Sequence, residues 1–384
     1  MTKLSSDEVK RYSRHLGLQG FGPEGQLKLK AARVLVVGSG GLGSPVLLYL
    51  AAAGVGTLGV VDDDTVDLSN LQRQVLFTVN DIGKNKADTA VQKLRSINPH
   101  GVYISYAFRL TAANARDIIR NYDVVVDGSD NFPTRYLVND ACVLLGKPFV
   151  YGSILRFEGQ VAVFNLMKGD GKRSCNYRNL FPEPPDPSSV PNCEEAGVMG
   201  TLAGMIGSMQ ANEAIKIISG IGEPLADQLV ILDSTSMLQT VIQIKNHEPS
   251  DPIHTLIDYE NFCGISQDKN KSLETNTRVM KEVTVQELKK LQDSGADFQL
   301  IDVREPHEFD ICNLNGELIP QGQIPESVDR ISRTKQVIIH CRSGARSGNM
   351  VQWLEKNHGF ENLYNLKGGI LAWAREIDPS VPTY

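Results

Sequence analysis

The chain has 384 residues, which corresponds to about two or three average domains. Its 39 Lys and Arg residues against 45 Asp and Glu residues give a formal net charge of −6, which disfavours a nucleic-acid-binding or membrane-surface protein, since these normally present a basic face. Six cysteines are too few for a disulfide scaffold and favour reduced thiols in the cytoplasm, while 41% hydrophobic and 22% charged residues exclude a disordered chain.

The first part of the chain alternates apolar runs with helical segments. Residues 1–30 are predicted to be helical, 33–37 a buried strand and 45–53 a helix, and short apolar runs follow at 59–62 and 123–127. Strands that alternate with helices are typical of an α/β fold with a doubly wound parallel sheet. Residues 34–61 carry no charge and could be taken for a membrane span, but their seven glycines and Pro45 favour a strand, a glycine turn and a helix.

The rest of the chain predicts a change of sheet type and then a second domain. Residues 147–151 are predicted as a further strand, and 158–165 begin a part more typical of antiparallel strands. A proline-rich loop at 182–191 precedes a segment at 196–218 whose glycines share one helical face, which favours close packing against another backbone. The polar stretch 267–278 is typical of a linker.

The predicted organisation is therefore a doubly wound α/β domain at 1–265, a linker at 266–280 and a smaller α/β domain at 281–384. In the smaller domain the pattern predicts helices at 284–292 and 347–356 and strands at 298–303 and 336–340.

A glycine-rich turn lies between the first predicted strand and the following helix. Its spacing, Gly38-x-Gly40-x-x-Gly43 with Gly41 as a further glycine, is the fingerprint of a Rossmann-like nucleotide-binding turn. Glycines let backbone amides approach a phosphate, and the N-terminus of the next helix adds partial positive charge. Asp62 ends the next strand, where a carboxylate can bind ribose hydroxyls. These residues alone are compatible with either NAD or ATP.

Cationic and amide side chains that follow the turn favour a triphosphate. Asn70, Arg73 and Lys86 come soon after the ribose acid, and a triphosphate needs several cations whereas a nicotinamide needs few. Asp130 and Asn131 follow the strand at 123–127, at the sheet edge where open parallel sheets bind ligands, and a carboxylate there suits Mg²⁺. On spacing alone, an ordinary solvated surface explains Arg73 and Lys86 equally well.

Five sequence blocks follow one another within about residues 5–265. They are GSGGLGSP, DDDTVDLSNLQRQ, GKNKA, DGSDNFPTRYLVND and LFPEPP…VPNCEEAGVMG. Together they resemble the ubiquitin-activating-enzyme (E1-like) superfamily and, most closely, its bacterial branch that adenylylates sulfur-carrier proteins for molybdopterin and thiamin synthesis. The resemblance implies that Asp62 binds the ribose, that Asp130 organises Mg²⁺ and that Arg14 reaches the triphosphate of the partner subunit in a homodimer. It also implies phosphate contacts made by Asn70, Arg73 and Lys86.

The implied reaction transfers AMP from ATP to a small ubiquitin-like sulfur-carrier protein. The C-terminal Gly-Gly carboxylate of the carrier attacks the α-phosphate, pyrophosphate leaves and an acyl-adenylate forms. Such chemistry depends on positioning and charge neutralisation, which matches a site rich in donors and poor in general bases. Cys193 resembles the family's crossover-loop cysteine, which forms a thioester or disulfide with the activated carrier. A cysteine without function is the alternative, since Glu194 and Glu195 beside it disfavour a thiolate.

One feature departs from the family pattern. Many relatives hold a structural zinc with two Cys-x-x-Cys pairs, and the positions of the first pair are here Asn176 and Asn179. The second pair is expected near 245–255, where the chain has no cysteine. Cys175 and Cys263 alone cannot complete a four-ligand site, so we expect no structural zinc. The two asparagines could instead hydrogen-bond across the same gap.

A second chemical motif begins where the strand at 336–340 ends. Cys341 is followed by a loop, defined here as the persulfide loop, with the residues Arg342, Ser343, Gly344, Ala345 and Arg346. Loop amides, the dipole of the next helix and two guanidiniums favour a thiolate at Cys341. Tyrosine phosphatases use Cys-x5-Arg, a count that ends here at Ser347, whereas Cys-x4-Arg forms a tighter ring suited to a single sulfur.

With DVREPHEF at 302–309 and YNLKGGILAW at 364–373, residues 280–384 resemble a rhodanese domain. The resemblance implies that Cys341 carries a persulfide held by the loop amides, supplied by a donor such as a cysteine desulfurase or thiosulfate, and that Asp302 shapes the fold. Joined to the first domain, the persulfide is expected to attack the adenylylated carrier, and reduction or attack by Cys193 then releases a thiocarboxylate.

The pathway stays open between molybdopterin synthesis, thiamin synthesis and tRNA thiolation. Two alternatives come from other functional classes. A nicotinamide oxidoreductase leaves Arg73, Lys86 and Asp130 unexplained, and a non-catalytic scaffold for a ubiquitin-like protein would lose these charges. We expect neither a nucleic acid nor a membrane as a partner.

Overall fold

The computed structural model describes residues 3–185, 197–246, 252–264 and 280–383. The chain divides into two compact units, 1–267 and 268–384, which are treated separately below. Apart from residue 280, the predicted linker at 266–280 lies outside the described residues, so its boundaries stay a prediction.

The first unit is built on an eight-stranded sheet in the order β3-β2-β1-β4-β5-β6-β7-β8. Strands β1 to β5 are parallel, and β5 to β8 pair antiparallel, which confirms the predicted doubly wound sheet and its change of type. The strands are β1 (Arg33–Val37), β2 (Thr57–Val61), β3 (Val102–Tyr106), β4 (Val124–Asp127), β5 (Phe149–Leu155), β6 (Glu158–Phe164), β7 (Gln228–Asp233) and β8 (Leu238–Gln243).

Helices cover both faces of the parallel part of this sheet. Along β1, Val34 and Val36 enter one buried cluster and Leu35 and Val37 the other, as expected for a strand buried on both faces. The helices of this unit are α1 (Ser6–Arg11), α2 (Ser13–Leu16), α3 (Gly22–Ala31), α4 (Gly43–Ala53), α5 (Lys86–Ile97), α6 (Ala115–Ile119), α7 (Phe132–Leu145), α8 (Tyr177–Leu180), α9 (Gly200–Ser219) and α10 (Tyr259–Phe262).

The uncharged run at 34–61 forms β1, a turn, helix α4 and β2, which confirms the buried-fold interpretation. Helix α4 has 11 residues and ends at Gly54, whose φ of 87° provides the left-handed cap. In the described part of the chain, no helix is both long enough and apolar enough to cross a membrane.

The glycines of α9 do not all serve the close packing predicted for them. A Cβ at Gly207 would lie 2.5 Å from the Leu42 carbonyl oxygen, and one at Gly200 would lie 2.3 Å from the Gln72 oxygen. A Cβ at Gly204 would meet nothing within 4 Å. Of these three, only Gly200 and Gly207 therefore require the absence of a side chain. Gly207 brings α9 against the glycine turn at Leu42, and Gly200 brings it against Gln72.

The second unit has a five-stranded parallel sheet in the order β11-β10-β12-β13-β9. Its strands are β9 (Glu282–Val283), β10 (Phe298–Asp302), β11 (Glu317–Leu318), β12 (Gln336–His340) and β13 (Leu363–Leu366). Its helices are α11 (Val285–Asp293), α12 (Pro306–Ile311), α13 (Ala345–His358) and α14 (Gly369–Glu376). The central strand β12 is buried along Val337–His340 and ends directly before Cys341, as the sequence predicted.

Candidate active sites

The glycine turn is held in a conformation that only glycine allows at two of its positions. Gly38 has a φ of 85°, and its amide donates to the Val61 carbonyl at 2.8 Å. A Cβ at Gly43 would lie 2.0 Å from the Gly38 oxygen, and one at Gly128 would lie 2.8 Å from the same oxygen. The turn therefore packs backbone against backbone at the carboxyl ends of β1, β2 and β4, where the strand order reverses between β1 and β4.

Asp62 follows β2 directly and binds the glycine turn. Its Oδ2 accepts from the Ser39 amide and the Ser39 hydroxyl, both at 2.8 Å, and its Oδ1 accepts from the Asp64 amide at 3.0 Å. Burial raises the pKa of the Asp62 carboxyl, while these bonds and the nearby Lys86 oppose the rise. The role as ribose ligand stays a prediction, and the structure adds that Asp62 also fixes the turn.

Lys86 is the first residue of α5 and is 5% exposed. Its Nζ lies 2.9 Å from Asp64 Oδ2, and the helix is capped by the Asn85 side chain, which accepts from the Asp88 amide. A helix N-terminus attracts anions, and an ammonium group beside it strengthens that attraction. Asp64 now occupies that position, and sequence reasoning did not identify it.

Arg73 lies beside the same turn, and its amide donates to the Asn70 carbonyl at 3.1 Å. A Cβ at Gly41 would be 3.5 Å from Arg73 Cγ, and Arg73 Nη1 donates to the Ser69 carbonyl at 3.1 Å. Asn70 is buried, and its Oδ1 accepts from the Asp67 amide at 3.3 Å. The structure thus brings Asp62 and Arg73 to the glycine turn, with Lys86 close to Asp62 and Asn70 bound to Arg73. The phosphate contacts of Asn70, Arg73 and Lys86 stay a prediction.

The loop after β4 is anchored by buried polar groups around Asp127. Asp127 Oδ1 accepts from the Ser129 amide at 2.9 Å, and Gln210 Nε2 donates to the Asp127 carbonyl at 2.6 Å. Arg135 Nε lies 3.5 Å from Asp127 Oδ2, and burial raises the pKa of the Asp127 carboxyl although Arg135 opposes it. Sequence reasoning missed Arg135 and Gln210, since a buried Arg on a helix has no distinctive spacing.

The two predicted polar residues of that loop differ in their surroundings. Asp130 is exposed, and its role as a ligand of Mg²⁺ stays a prediction. Asn131 is partly buried, and its Oδ1 accepts from the Thr134 amide at 3.0 Å, so it caps α7. Arg14 is exposed on α2, and its reach into a partner subunit stays a prediction.

The positions of the first zinc pair form a local hydrogen-bonded turn. Asn176 Oδ1 accepts from the Arg178 amide, and Asn179 Oδ1 accepts from the Asn176 amide at 2.8 Å, which caps α8. The two asparagines therefore bond to the backbone of their own turn, and bonding across the gap stays a prediction. Burial raises the pKa of Cys175 to about 12 and that of Cys263 to about 11, so both are thiols. Residues 247–251 lie outside the described residues.

Acidic side chains form one compact group in the described ranges. Among the residues described there, the only set of three or more His, Cys, Asp or Glu ligand atoms within 4.8 Å of one another belongs to Asp62, Asp63 and Asp64. Asp62 and Asp64 already bind Ser39 and Lys86, as given above.

Cys341 is buried at the carboxyl end of β12. The Gly344 amide donates to its Sγ at 3.2 Å, and the Ser347 hydroxyl lies 3.4 Å from Sγ. Gly344 adopts a left-handed conformation with a φ of 96° and precedes α13, so the loop amide and the helix N-terminus face the sulfur. The other predicted cysteine, Cys193, lies outside the described residues.

Arg346, one of the two guanidiniums predicted to favour the thiolate, pairs with a carboxylate. Its Nη1 and Nη2 donate to the two carboxylate oxygens of Glu308, each at 2.7 Å. This bidentate pair offsets part of the positive charge of Arg346, and the effect of Arg346 on the Cys341 thiolate stays a prediction. The pair instead anchors the end of the persulfide loop to α12.

Asp302 forms a buried ion pair. It is fully buried with Arg304, whose Nε and Nη2 donate to both of its carboxylate oxygens. His340 is equally buried, with its Nε2 3.6 Å from Asp302 Oδ2, and burial lowers the pKa of its ring. His340 is therefore neutral, and the Asp302–Arg304 pair fixes the chain beneath the loop.

We expect Gly43→Ala to destabilise the first unit strongly, because the new methyl carbon would lie 2.0 Å from the Gly38 oxygen and backbone must move. Overpacking of this kind costs about 3 kcal/mol, or about 5–10 °C in the melting temperature. Gly40→Ala is the matched control, since its Cβ would meet only the Gln74 side chain at 3.5 Å. Equal melting temperatures for the two variants, measured by circular dichroism, would contradict this reading of the turn.

Comparison with known proteins agrees with the division of the chain into two units. Residues 12–253 match the ThiF family, and residues 284–376 match the rhodanese-like domain. The chain is 46% identical over 385 residues to the "Probable adenylyltransferase/sulfurtransferase MoeZ" of Mycobacterium tuberculosis H37Rv, which covers 99% of this chain and 96% of that protein. It is 44% identical over 398 residues to the "Adenylyltransferase and sulfurtransferase MOCS3" of Drosophila grimshawi, covering 100% of this chain and 87% of that protein.

Solved structures share the fold of the first unit. The crystal structure of E. coli MccB with ATP aligns with a TM-score of 0.54 at 23% identity and covers 65% of this chain and 75% of that chain. The structure of E. coli MccB with MccA-N7isoASN aligns with a TM-score of 0.55, also at 23% identity. At this identity the likeness concerns the fold alone.

Proposed function

Because the chain belongs to the ThiF family and carries a rhodanese-like domain, we propose that it adenylylates the C-terminal Gly-Gly carboxylate of a ubiquitin-like sulfur carrier and then converts it to a thiocarboxylate. Two full-length relatives bear the names adenylyltransferase and sulfurtransferase, which supports an enzyme with both activities. The single observation that carries the proposal is that one chain contains two such sites. One is a glycine turn with the buried Lys86 close to it, and the other is Cys341, whose sulfur accepts from the Gly344 amide just before α13.

The first step takes place at the carboxyl ends of β1, β2 and β4. The glycine turn and the N-terminus of α5 receive the phosphates, Arg73 and Lys86 neutralise their charge, and Asp62 holds the ribose. The carrier carboxylate attacks the α-phosphorus, and the bond to the pyrophosphate oxygen breaks. In a homodimer, Arg14 of one subunit adds a further positive charge at the other subunit's triphosphate.

The donor set beside this site fits a magnesium ion. Asp130 is an exposed carboxylate at the edge of the sheet, and a hard cation takes carboxylate, phosphate and water oxygens. Asp130 would hold Mg²⁺ together with the phosphate oxygens, and the ion would neutralise phosphate charge. Asp127, Arg135 and Gln210 position the loop that carries Asp130.

The second step uses the persulfide of Cys341. Its outer sulfur attacks the acyl carbon of the adenylate, AMP leaves, and an acyl disulfide joins Cys341 to the carrier. A thiolate, from Cys193 or an added reductant, then attacks Cys341 Sγ and releases the carrier thiocarboxylate. Reduction of the resulting disulfide by a second thiol returns Cys341 as a thiolate. These steps need reduced thiols, which is consistent with a cytoplasmic protein.

The decisive experiment is ATP–pyrophosphate exchange with purified chain and a panel of carriers from molybdopterin synthesis, thiamin synthesis and tRNA thiolation. We expect exchange that depends on a carrier ending in Gly-Gly and disappears when the last glycine is removed. The carrier that supports exchange at the lowest concentration identifies the pathway. No exchange with any Gly-Gly carrier would overturn the proposal, and tight NAD binding in its place would support the oxidoreductase alternative.

A further inference from the structure

A second side chain reaches the sulfur of Cys341 from the first turn of α13. Ser347 Oγ lies 3.4 Å from Cys341 Sγ, and both residues are fully buried. On the proposed function, Cys341 becomes a thiolate once in every cycle. We propose that Ser347 is a catalytic residue of sulfur transfer, whose hydroxyl donates a hydrogen bond to Cys341 Sγ and stabilises the thiolate that forms when the sulfur–sulfur bond at Cys341 breaks.

The hydroxyl of Ser347 has one proton and three acceptors within reach. Asn365 Oδ1 lies at 2.7 Å, the Gly344 carbonyl oxygen at 3.2 Å and Cys341 Sγ at 3.4 Å. Neutral sulfur is a weak acceptor, so the amide oxygen holds the proton while Cys341 is a thiol or is bound to another sulfur. A hydrogen bond to an ionised acceptor is about twice as strong as a neutral one, so the proton turns toward Sγ as negative charge develops there.

Asn365 keeps the hydroxyl in place during this exchange. It lies on β13, is 3% exposed and approaches Ser347 from the side of the sheet. The Gly344 amide gives the sulfur a second donor at 3.2 Å, so the thiolate receives one backbone and one side-chain hydrogen bond. The position that a Cys-x5-Arg loop assigns to arginine thus carries a hydroxyl that faces the sulfur instead of a cation that faces a phosphate.

The chemistry can be isolated with thiosulfate and cyanide as probes. In loading, the Cys341 thiolate attacks the outer sulfur of thiosulfate, the sulfur–sulfur bond breaks and sulfite leaves. In discharge, cyanide attacks the outer sulfur of the Cys341 persulfide, thiocyanate forms, and the electron pair of the broken bond stays on Cys341 Sγ. Ser347 stabilises that product, so its loss should slow discharge more than loading.

The test compares full-length wild type with Ser347→Ala in single-turnover discharge by cyanide. We expect the variant to load a full equivalent of sulfur but to discharge about tenfold more slowly, the effect of one hydrogen bond to a charged group. The pH at which alkylation of the Cys341 peptide by iodoacetamide is half-maximal, followed by mass spectrometry, should rise by about one unit. Ser294→Ala is the matched control, because its hydroxyl is exposed and bonds only to the Leu291 carbonyl in the described structure.

Two outcomes would overturn the assignment. One is discharge at the wild-type rate with an unchanged alkylation profile. The other is equal slowing of loading and discharge, with an unchanged alkylation profile and a lower melting temperature, which is the result of a purely structural role. The assay needs neither ATP nor a carrier, so a failure of carrier adenylylation leaves it unaffected. A wild-type chain that takes up no sulfur contradicts the proposed function, while the alkylation profile still decides the role of Ser347.

Discussion

Cys341→Ala should abolish thiocarboxylate formation and leave carrier-dependent ATP–pyrophosphate exchange at the wild-type rate. Cys341 belongs to the second unit, and the nucleotide turn, Asp62 and Lys86 all belong to the first, so the substitution removes the sulfur atom without altering a residue of the adenylation site. Sulfur transfer should fall below detection, since no other group of the persulfide loop can carry a sulfane sulfur. The measurement is mass spectrometry of the carrier after incubation with ATP and a persulfide donor.

The controls for this variant separate lost chemistry from lost structure. Cys312→Ala makes the same chemical change in the same unit, at a half-buried thiol whose Sγ lies 3.4 Å from the Pro382 carbonyl, and should keep full activity. Added sulfide should restore thiocarboxylate in Cys341→Ala, because sulfide attacks the acyl-adenylate directly. Thiocarboxylate formed by Cys341→Ala with sulfide excluded would remove Cys341 from the proposed mechanism.

Much of the architecture could be predicted because the relevant signals are local. Buried parallel strands appear as short apolar runs, so β1 and β12 begin and end at the predicted residues. Glycine spacing between a strand and a helix likewise identified the turn at 38–43. The packing of Gly204 was wrongly predicted because periodicity defines a helical face but does not show whether a partner covers each position along it.

The residues that the sequence did not reveal position other residues of the two sites through direct contacts. Arg135, Gln210 and Glu308 bind buried carboxylates, carbonyls or guanidiniums that are distant in sequence, and no spacing rule encodes such contacts. Ser347 was noticed only because a phosphatase arginine is absent there. Its contact with sulfur depends on the left-handed Gly344, which turns the chain so that the first turn of α13 faces back toward Cys341. Each of these residues contacts a residue of a motif but is not part of the motif, so the sequence pattern does not identify it.

Lys86→Ala is expected to lower the rate of carrier-dependent ATP–pyrophosphate exchange by about 10²–10³-fold, the usual effect of removing one preorganised donor from a charged transition state. Lys86 is buried at the N-terminus of α5 and paired with the exposed Asp64, so a phosphate can replace that carboxylate without moving the ammonium group. Its removal leaves Asp62 and Asp64 without the neighbouring cation, which further disfavours an incoming triphosphate.

Lys84→Ala provides the matched control for this experiment. Lys84 lies two residues earlier, has the same charge and is mostly exposed, with its Nζ 3.5 Å from Asp81, so its loss should change exchange less than about twofold. Asp64→Asn removes the competing carboxylate while Lys86 remains, and it should therefore lower the KM for ATP rather than reduce kcat. Full exchange activity in Lys86→Ala, or equal losses in Lys84→Ala and Lys86→Ala, would show that phosphate is not bound at this end of α5. The ATP site would then have to be sought elsewhere along the sheet edge, nearer the loop that Arg135 anchors.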